Sequence, residues 1–180
     1  MNDARGPFEP LEGGCTCRAV RYRVERKPLF VHCCHCRWCQ RETGASFALN
    51  AMIEADRVAL LAGEPEIVLT PSASGRGQKI ARCRSCRVAL WSNYGGGGDK
   101  VRFVRVGTLD EPDRLPPDIH IFTSSKQPWV TCRPTCPRRP STTIGMRIGR
   151  RRASSAGACC LRCSQPTKTR RPPASLRRAG

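Results

Sequence analysis

Long hydrophobic runs are missing from this sequence, and their absence limits the classes of protein that it encodes. The chain leads from Met1 straight into the polar residues Asn2-Asp3-Ala4-Arg5. We therefore expect neither a signal peptide nor a transmembrane segment, but a cytoplasmic protein without a membrane partner. No window shows the long 3.6-residue apolar period of an amphipathic helix either.

Acidic and aromatic residues are both absent from the last 49 residues, 132–180. That segment carries 13 Lys and Arg, whereas residues 1–131 carry 19 Lys and Arg against 14 Asp and Glu. A segment built from Arg, Pro, Ser, Thr and Ala cannot bury enough apolar surface to offset its conformational entropy. We therefore predict that 132–180 is a disordered, basic Arg/Pro-rich tail.

Cysteine, in contrast, is abundant, with 13 among 180 residues. In a reducing compartment, clustered cysteines bind metal more often than they form disulfides, and a Cys-x-Cys disulfide would close a strained ring. The sequence therefore indicates metal sites. The eight cysteines that precede the predicted tail are Cys15, Cys17, Cys33, Cys34, Cys36, Cys39, Cys83 and Cys86.

Three of these thiols stand within six residues, in the run Cys34-His35-Cys36-Arg37-Trp38-Cys39. Thiolates held this close repel one another, and Zn²⁺ relieves the repulsion at Zn–S distances of about 2.3 Å. Three protein ligands leave the fourth position of a tetrahedral zinc open, as in catalytic sites. A fourth ligand from Cys33, His32 or His35 would close it, and the spacing alone leaves both alternatives open.

The pairs Cys15-Thr16-Cys17 and Cys83-Arg84-Ser85-Cys86 together supply the four thiolates of a closed zinc site. Joining them would close a long loop and restrict the unfolded chain. Spacing does not prove this pairing, and the alternative is one zinc site plus several buried free cysteines. Cys33 is then left over, and we interpret it as a small apolar packing residue or a further ligand.

Short apolar segments bounded by Gly and Pro predict a mainly β fold. Val20, Tyr22 and Val24 alternate with charged residues, which is the period of a strand with one buried face. Many short strands at regular spacing indicate a β-sandwich-like domain stapled by zinc, which can supply on the order of 10–16 kcal/mol of apparent binding free energy. The predicted strands cover 18–25, 29–31, 46–53, 57–61, 66–70, 78–82, 88–91, 101–106 and 119–122.

Several motifs in the sequence together form one recognisable pattern. They are Gly13-Gly14-Cys15-x-Cys17, Cys34-His35-Cys36-x-x-Cys39-Gln40-Arg41-x-Thr43-Gly44, Cys83-x-x-Cys86, Val104-Arg105-Val106-Gly107-Thr108-Leu109-Asp110 and Ser125-Lys126-Gln127-Pro128-Trp129. Together they resemble the glutathione-dependent formaldehyde-activating enzyme (GFA) family, which includes the centromere-protein-V-like domains. The resemblance covers about residues 10–131, which we predict to be the zinc-binding domain.

This resemblance implies a zinc-bearing β-sandwich with two zinc ions. A structural zinc would be held by Cys15, Cys17, Cys83 and Cys86, and a catalytic zinc by Cys34, Cys36 and Cys39. The implied reaction is the addition of glutathione, or a similar small thiol, to formaldehyde or another small aldehyde. The reverse reaction cleaves a carbon–sulfur bond, which makes the expected enzyme a lyase of the S-hydroxymethylglutathione synthase type.

Side chains near the cysteines have more than one interpretation. Arg37, Arg41 and Lys126 are candidate cations for the two carboxylates of glutathione, or else ordinary surface charges. His35 is either a group that tunes the zinc and carries protons or an exposed loop histidine. His120 and Trp129 are expected to be structural, the latter as a packing residue.

Two positions depart from the family pattern. Family members often carry Gly after the Cys-x-Cys and Cys-x-x-Cys pairs, where this sequence has Arg18 and Arg87. Because Gly eases left-handed turns, we expect these two turns to be shaped differently, with the ligands intact.

Two other function classes stay open beside the lyase. One is a non-catalytic module that binds glutathione and zinc. The other is a nucleic-acid-associated protein whose basic tail binds phosphates through counterion release. The tail, however, has neither aromatics for base stacking nor a folded reading motif, so a nucleic-acid partner is expected only if the tail is genuine.

We predict that residues 132–180 are an out-of-frame translation of a GC-rich coding region, because such reading yields Arg, Pro, Ala, Ser and Cys. Its five cysteines, 132, 136, 159, 160 and 163, would then not be ligands. Resequencing should find a single-base insertion or deletion near codon 131 that restores an acidic, aromatic ending. An intact frame, with the basic peptide found in cells by mass spectrometry, would show a genuine tail instead.

Overall fold

The computed structural model describes residues 8–72, 74–132 and 136–140. Within these ranges the chain is mainly β, as the sequence predicts, with eleven short strands and one short α-helix. No helix of this part of the chain is long and apolar enough to cross a membrane. The strands are β1 (Leu11–Gly14), β2 (Arg21–Val24), β3 (Phe30–Cys34), β4 (Ala48–Glu54), β5 (Val58–Ala62), β6 (Glu66–Thr70), β7 (Gln78–Arg82), β8 (Ala89–Tyr94), β9 (Val101–Arg105), β10 (Ile119–Ile121) and β11 (Arg138–Arg139), and the helix is α1 (Arg37–Thr43).

Each of the nine predicted strand segments contains or overlaps a strand, so these predictions are confirmed. The sequence did not reveal β1, α1 or β11. β1 consists of Leu-Glu-Gly-Gly, which has low strand propensity, and α1 is a single polar stretch without an apolar period.

The strands form two sheets. A three-stranded sheet has the order β1-β2-β5, and an eight-stranded sheet has the order β11-β10-β3-β4-β9-β8-β7-β6. Sequential hairpins make most neighbours antiparallel, whereas β10 runs parallel to both β3 and β11. The parallel pairing joins His120 to Cys33, two residues that are distant in sequence.

The two sheets pack face to face over one apolar core. Tyr22 and Val24 of the small sheet meet Val31, Trp91 and Val104 of the large one. The rings of Tyr22 and Trp91 lie edge to face, with centroids 5.8 Å apart, a favoured aromatic geometry. The sandwich architecture expected from the sequence is therefore present.

The opposite face of the large sheet carries polar side chains. Successive residues of a strand point to opposite faces, so the core residue Val31 is followed by His32 on the outer face. The register pairs His32 with Asn50, and Asn50 with Arg105. These three residues, which we call the polar row, share their face with Cys34, two positions after His32.

The predicted tail lies mostly outside the described residues, apart from Cys132 and 136–140. Here the structure differs from the prediction of disorder, since Arg138–Arg139 form β11 on the edge of β10, and Cys132 and Cys136 are buried. Pairing with an open sheet edge uses backbone groups and needs no apolar side chains, so composition does not reveal it. For the rest of the tail, disorder and the frameshift stay predictions.

Candidate metal centres

The four-thiol group consists of Cys15, Cys17, Cys83 and Cys86, whose sulfur atoms all lie within 4.8 Å of one another. The Sγ atoms of Cys15 and Cys17 are 3.4 Å apart, and those of Cys17 and Cys83 are 3.6 Å apart. Four sulfurs at these separations fit around one tetrahedral zinc, whose Zn–S bonds are about 2.3 Å long. The structure thus brings together the four cysteines that the resemblance implied.

Two similar turns present these thiols. In the first, the N–H groups of Arg18 and Cys15 donate to the carbonyls of Cys15 and Val20. In the second, the N–H groups of Arg87 and Cys83 donate to the carbonyls of Cys83 and Val88. Backbone N–H groups of Cys17 and Val88 donate to the Cys86 sulfur and lower its pKa to about 6, which favours the thiolate that a metal needs.

Both turns keep a left-handed residue although neither has a glycine there. Arg18 has φ 62° and Arg87 has φ 61°. The expectation that these turns would change shape is therefore wrong, because the hydrogen bonds around each pair of cysteines impose the conformation. A side chain at positive φ costs about 1–2 kcal/mol relative to the ordinary helical region.

The three-thiol group consists of Cys34, Cys36 and Cys39, whose sulfur atoms also lie within 4.8 Å of one another. Cys34 ends β3, Cys36 caps the N-terminus of α1, and Cys39 lies in its first turn. The Cys39 N–H donates to Cys36 Sγ over 3.4 Å. The helix then ends at Gly44, whose φ of 65° gives the left-handed turn that suits glycine.

Charge is concentrated in the three-thiol group. Hydrogen bonds from the thiols of Cys34 and Cys39 lower the pKa of Cys36 to about 2, and the N–H groups of Cys39 and Trp38 add to this effect. The same contacts, together with burial, raise the pKa of Cys34. Three sulfurs gathered this closely form a donor set that suits a soft divalent cation such as zinc.

A third group, Cys33, His35 and His120, was not predicted as one unit. Their donor atoms lie within 4.8 Å of one another, and His35 Nε2 is 2.9 Å from His120 Nδ1. His35 is fully buried between the rings of His120 and Phe47, so the interpretation as an exposed loop histidine is wrong. The parallel β3–β10 pairing creates the group, and no local pattern signals it.

We interpret this third group as packing. The two imidazole nitrogens that face each other already share a hydrogen bond. Burial, together with the smaller effect of the nearby Cys132 and Cys136 thiols, raises the pKa of the Cys33 thiol to about 12. A thiol in such surroundings stays protonated, which is the property of a small apolar packing residue.

The cations proposed from the sequence are mostly engaged elsewhere. Arg37 donates to Gln40 Oε1 over 2.9 Å, and Lys126 Nζ donates to the carbonyls of Gln127 and Val130 over 2.9 and 2.6 Å. Arg41 is exposed on α1. Trp129, expected to pack, leaves 73% of its surface exposed.

Sequence reasoning missed the polar row beside the three-thiol group. Arg105 Nη1 donates to Asn50 Oδ1 over 2.7 Å, and Asn50 Nδ2 lies 3.2 Å from His32 Nε2. Burial and the charge of Arg105 lower the pKa of His32 to about 4, against a smaller opposing effect of Cys36. The guanidinium and the thiols therefore lie within electrostatic reach of the same imidazole.

A cavity of about 510 Å³ lies beside the four-thiol group. It is bordered by Cys86 of the four-thiol group, by the end of α1 and by Ala48, which pairs with Cys34. Arg105 also lines it, so we call it the Arg105 cavity. Its volume falls within the range of about 300–1,000 Å³ that is typical of small-molecule sites.

Comparison with known proteins identifies the family of this chain. The sequence model of the glutathione-dependent formaldehyde-activating enzyme family matches residues 10–125. The chain belongs to this family. Both cysteine groups and the polar row of this GFA protein lie inside the matched range, and the resemblance seen in the sequence is confirmed.

Two relatives illustrate the similarity. A Halomonas elongata protein, provisionally named a glutathione-dependent formaldehyde-activating enzyme, is 27% identical over 124 residues, which are 67% of this chain and 79% of the relative. A crystal structure of a Rhodobacter sphaeroides protein is 22% identical, with a TM-score of 0.43. That match covers 55% of this chain and 87% of the other.

Replacement of Arg18 by glycine should stabilise the protein. Arg18 is exposed and left-handed, so the Arg18→Gly variant should gain about 1 kcal/mol in the free energy of unfolding, measured by denaturant titration of zinc-loaded protein. Arg18→Ala is the control, since it retains Cβ and should bring no gain. Equal stability of the two variants at equal metal content would contradict a left-handed turn at this position.

Proposed function

We propose that this GFA protein is a zinc-dependent carbon–sulfur lyase that acts on adducts of glutathione with formaldehyde or a related aldehyde. The observation that carries the proposal is the composition of the three-thiol group. Among the described residues, no fourth Cys or His donor joins Cys34, Cys36 and Cys39 within 4.8 Å, whereas the other group has four. This difference favours one open and one closed metal centre, and it speaks against closure by Cys33, His32 or His35.

The proposed reaction joins a thiol to a carbonyl carbon. The sulfur–carbon bond forms as the carbon–oxygen π bond breaks, and the thiol proton ends on the new hydroxyl group, so no oxidant or reductant is needed. Zinc held by Cys34, Cys36 and Cys39 would supply a Lewis acid that lowers the pKa of an incoming thiol. The reverse reaction cleaves the carbon–sulfur bond and defines the lyase.

The chain's own residues fix the three donors in place. Gln40 Nε2 donates to the carbonyls of His35 and Ser125 over 2.7 and 2.9 Å, which ties the start of α1 to the segment after β10. Thr43 Oγ1 donates to the Cys39 carbonyl over 2.8 Å at the other end of the helix. Donors held this rigidly reduce the reorganisation that the reaction requires.

Exchange spectroscopy by NMR tests the proposal, because the adduct also forms spontaneously and the enzyme must accelerate its exchange. Zinc-loaded protein should speed the interconversion of glutathione, formaldehyde and S-hydroxymethylglutathione. Thiol binding without faster exchange would support the alternative, a non-catalytic glutathione- and zinc-binding module.

The metal content should be two zinc ions per chain, one for each all-cysteine group. Elemental analysis of anaerobically purified protein measures it directly. One zinc or none would contradict the two-site assignment, and three would show that Cys33, His35 and His120 also hold a metal.

The two groups should respond differently to loss of one ligand. Cys83→Ser should reduce soluble yield and lower the Tm by roughly 10 °C or more, because metal binding by the four-thiol group is coupled to folding. Cys36→Ser should leave the β sandwich folded but abolish thiol binding. Circular dichroism and calorimetric titration with glutathione measure both effects, and two variants that fold and bind equally well would refute the separate roles.

A further inference from the structure

Arg105 is a buried cation that no carboxylate of the described residues neutralises. Its side chain is on β9, and only 7% of the residue is exposed. It donates to two neutral acceptors, Asn50 Oδ1 at 2.7 Å and Ser92 Oγ at 3.3 Å. Its Nε has no hydrogen-bond partner, and no ion pair in the described part of the chain includes it.

Such an arrangement is costly for the free protein. Taking a charge out of water is costly unless an opposite charge or full hydrogen bonding compensates. Arg105 has two neutral acceptors and an Nε–H that is unused. An anion hydrogen-bonded to the guanidinium would supply the opposite charge, as carboxylates commonly do for arginine.

The other arginines at the same cavity are already neutralised. Arg82 pairs with Glu42, and Arg87 pairs with Glu66. The Arg105 cavity is lined by Arg82, Glu42 and Arg87 as well as by Arg105, but not by Glu66. Of the three guanidinium groups that line this cavity, Arg105 is therefore the one without a carboxylate partner among the described residues.

The position of Arg105 relates this charge to the three-thiol group. Asn50, its partner in the register, belongs to the same strand as Ala48, which pairs with Cys34. Ala48 and Arg105 both line the cavity. Ala48 therefore connects the lining of the cavity to Cys34 of the three-thiol group through the strand register.

We propose that Arg105 anchors a carboxylate of the thiol substrate, so that the Arg105 cavity selects thiols that carry a carboxylate over neutral thiols of similar size. This assignment rests on the proposed function, since it requires that a thiol bind beside Cys34, Cys36 and Cys39. A neutral thiol would leave the buried guanidinium without its anion, and sites of this kind discriminate strongly against the analogue that lacks the matching group.

The first experiment needs only the wild-type protein. Full-length, zinc-loaded protein is titrated calorimetrically with glutathione and with glutathione diethyl ester, in which both carboxylates are masked and the thiol is intact. Glutathione should bind at least about 10-fold more tightly, the scale of one buried charge-assisted hydrogen-bonded pair. Equal binding of both thiols would overturn the role of Arg105 and leave the proposed function standing, whereas absence of thiol binding would overturn both.

Variants then assign the preference to one side chain. Arg105→Met should weaken glutathione binding by about 10-fold or more, because the guanidinium is removed. The affinities of glutathione and its diethyl ester should then differ by no more than about 2-fold. Arg105→Lys keeps the charge without the guanidinium and should restore only part of the preference.

Arg87→Gln is the matched control. It removes one positive charge from the lining of the same cavity, but Arg87 already pairs with Glu66, so the variant should keep the preference for glutathione. An equal loss in Arg87→Gln and Arg105→Met would show that the total charge of the cavity, and not Arg105, attracts the ligand. If the Arg105 variants lose zinc or unfold, equal binding of glutathione and its ester to the wild-type protein would still overturn the proposal.

Discussion

Mutual repulsion of clustered thiolates is the constraint on which this structure depends. Seven sulfur atoms are gathered into two compact groups, each of which has the donor atoms to hold a soft cation. The four-thiol group fastens the turn between β1 and β2 to the turn between β7 and β8. It thereby holds the small sheet against the large one, in a domain whose apolar core is modest.

The two faces of the large sheet differ, one contributing to stability and the other carrying the candidate binding groups. One face is apolar and packs on the small sheet around Tyr22 and Trp91. The other carries the polar row and Cys34, and it supports the cavity in which an anionic thiol would lie. Buried polar groups without partners, such as His32 Nδ1 and Arg105 Nε, concentrate on this second face. They are costly to stability unless a ligand uses them, which is typical of binding sites.

Much of the fold was readable from the sequence because strand periodicity is local. β6 and β7 were predicted with their observed bounds. The spacing of the cysteines marked the three-thiol group, whereas the four-thiol pairing was implied by the family resemblance. What could not be read depends on contacts between distant segments. His35 and His120 meet only through the parallel pairing of β3 with β10, and Arg105 looked like any solvent-facing residue of an alternating strand. Local propensity was misleading at Arg18 and Arg87. Arginine disfavours the left-handed conformation, but the surrounding turn imposes it at both positions.

The central claim is that one metal centre is closed by the protein and the other keeps a position for a thiol. X-ray absorption at the zinc edge counts the sulfur neighbours directly. Two-zinc protein should average about 3.5 sulfur neighbours per zinc, rising to about 4 when glutathione is added. An average of about 4 that does not respond to glutathione would mean that both centres are closed, and it would contradict the account.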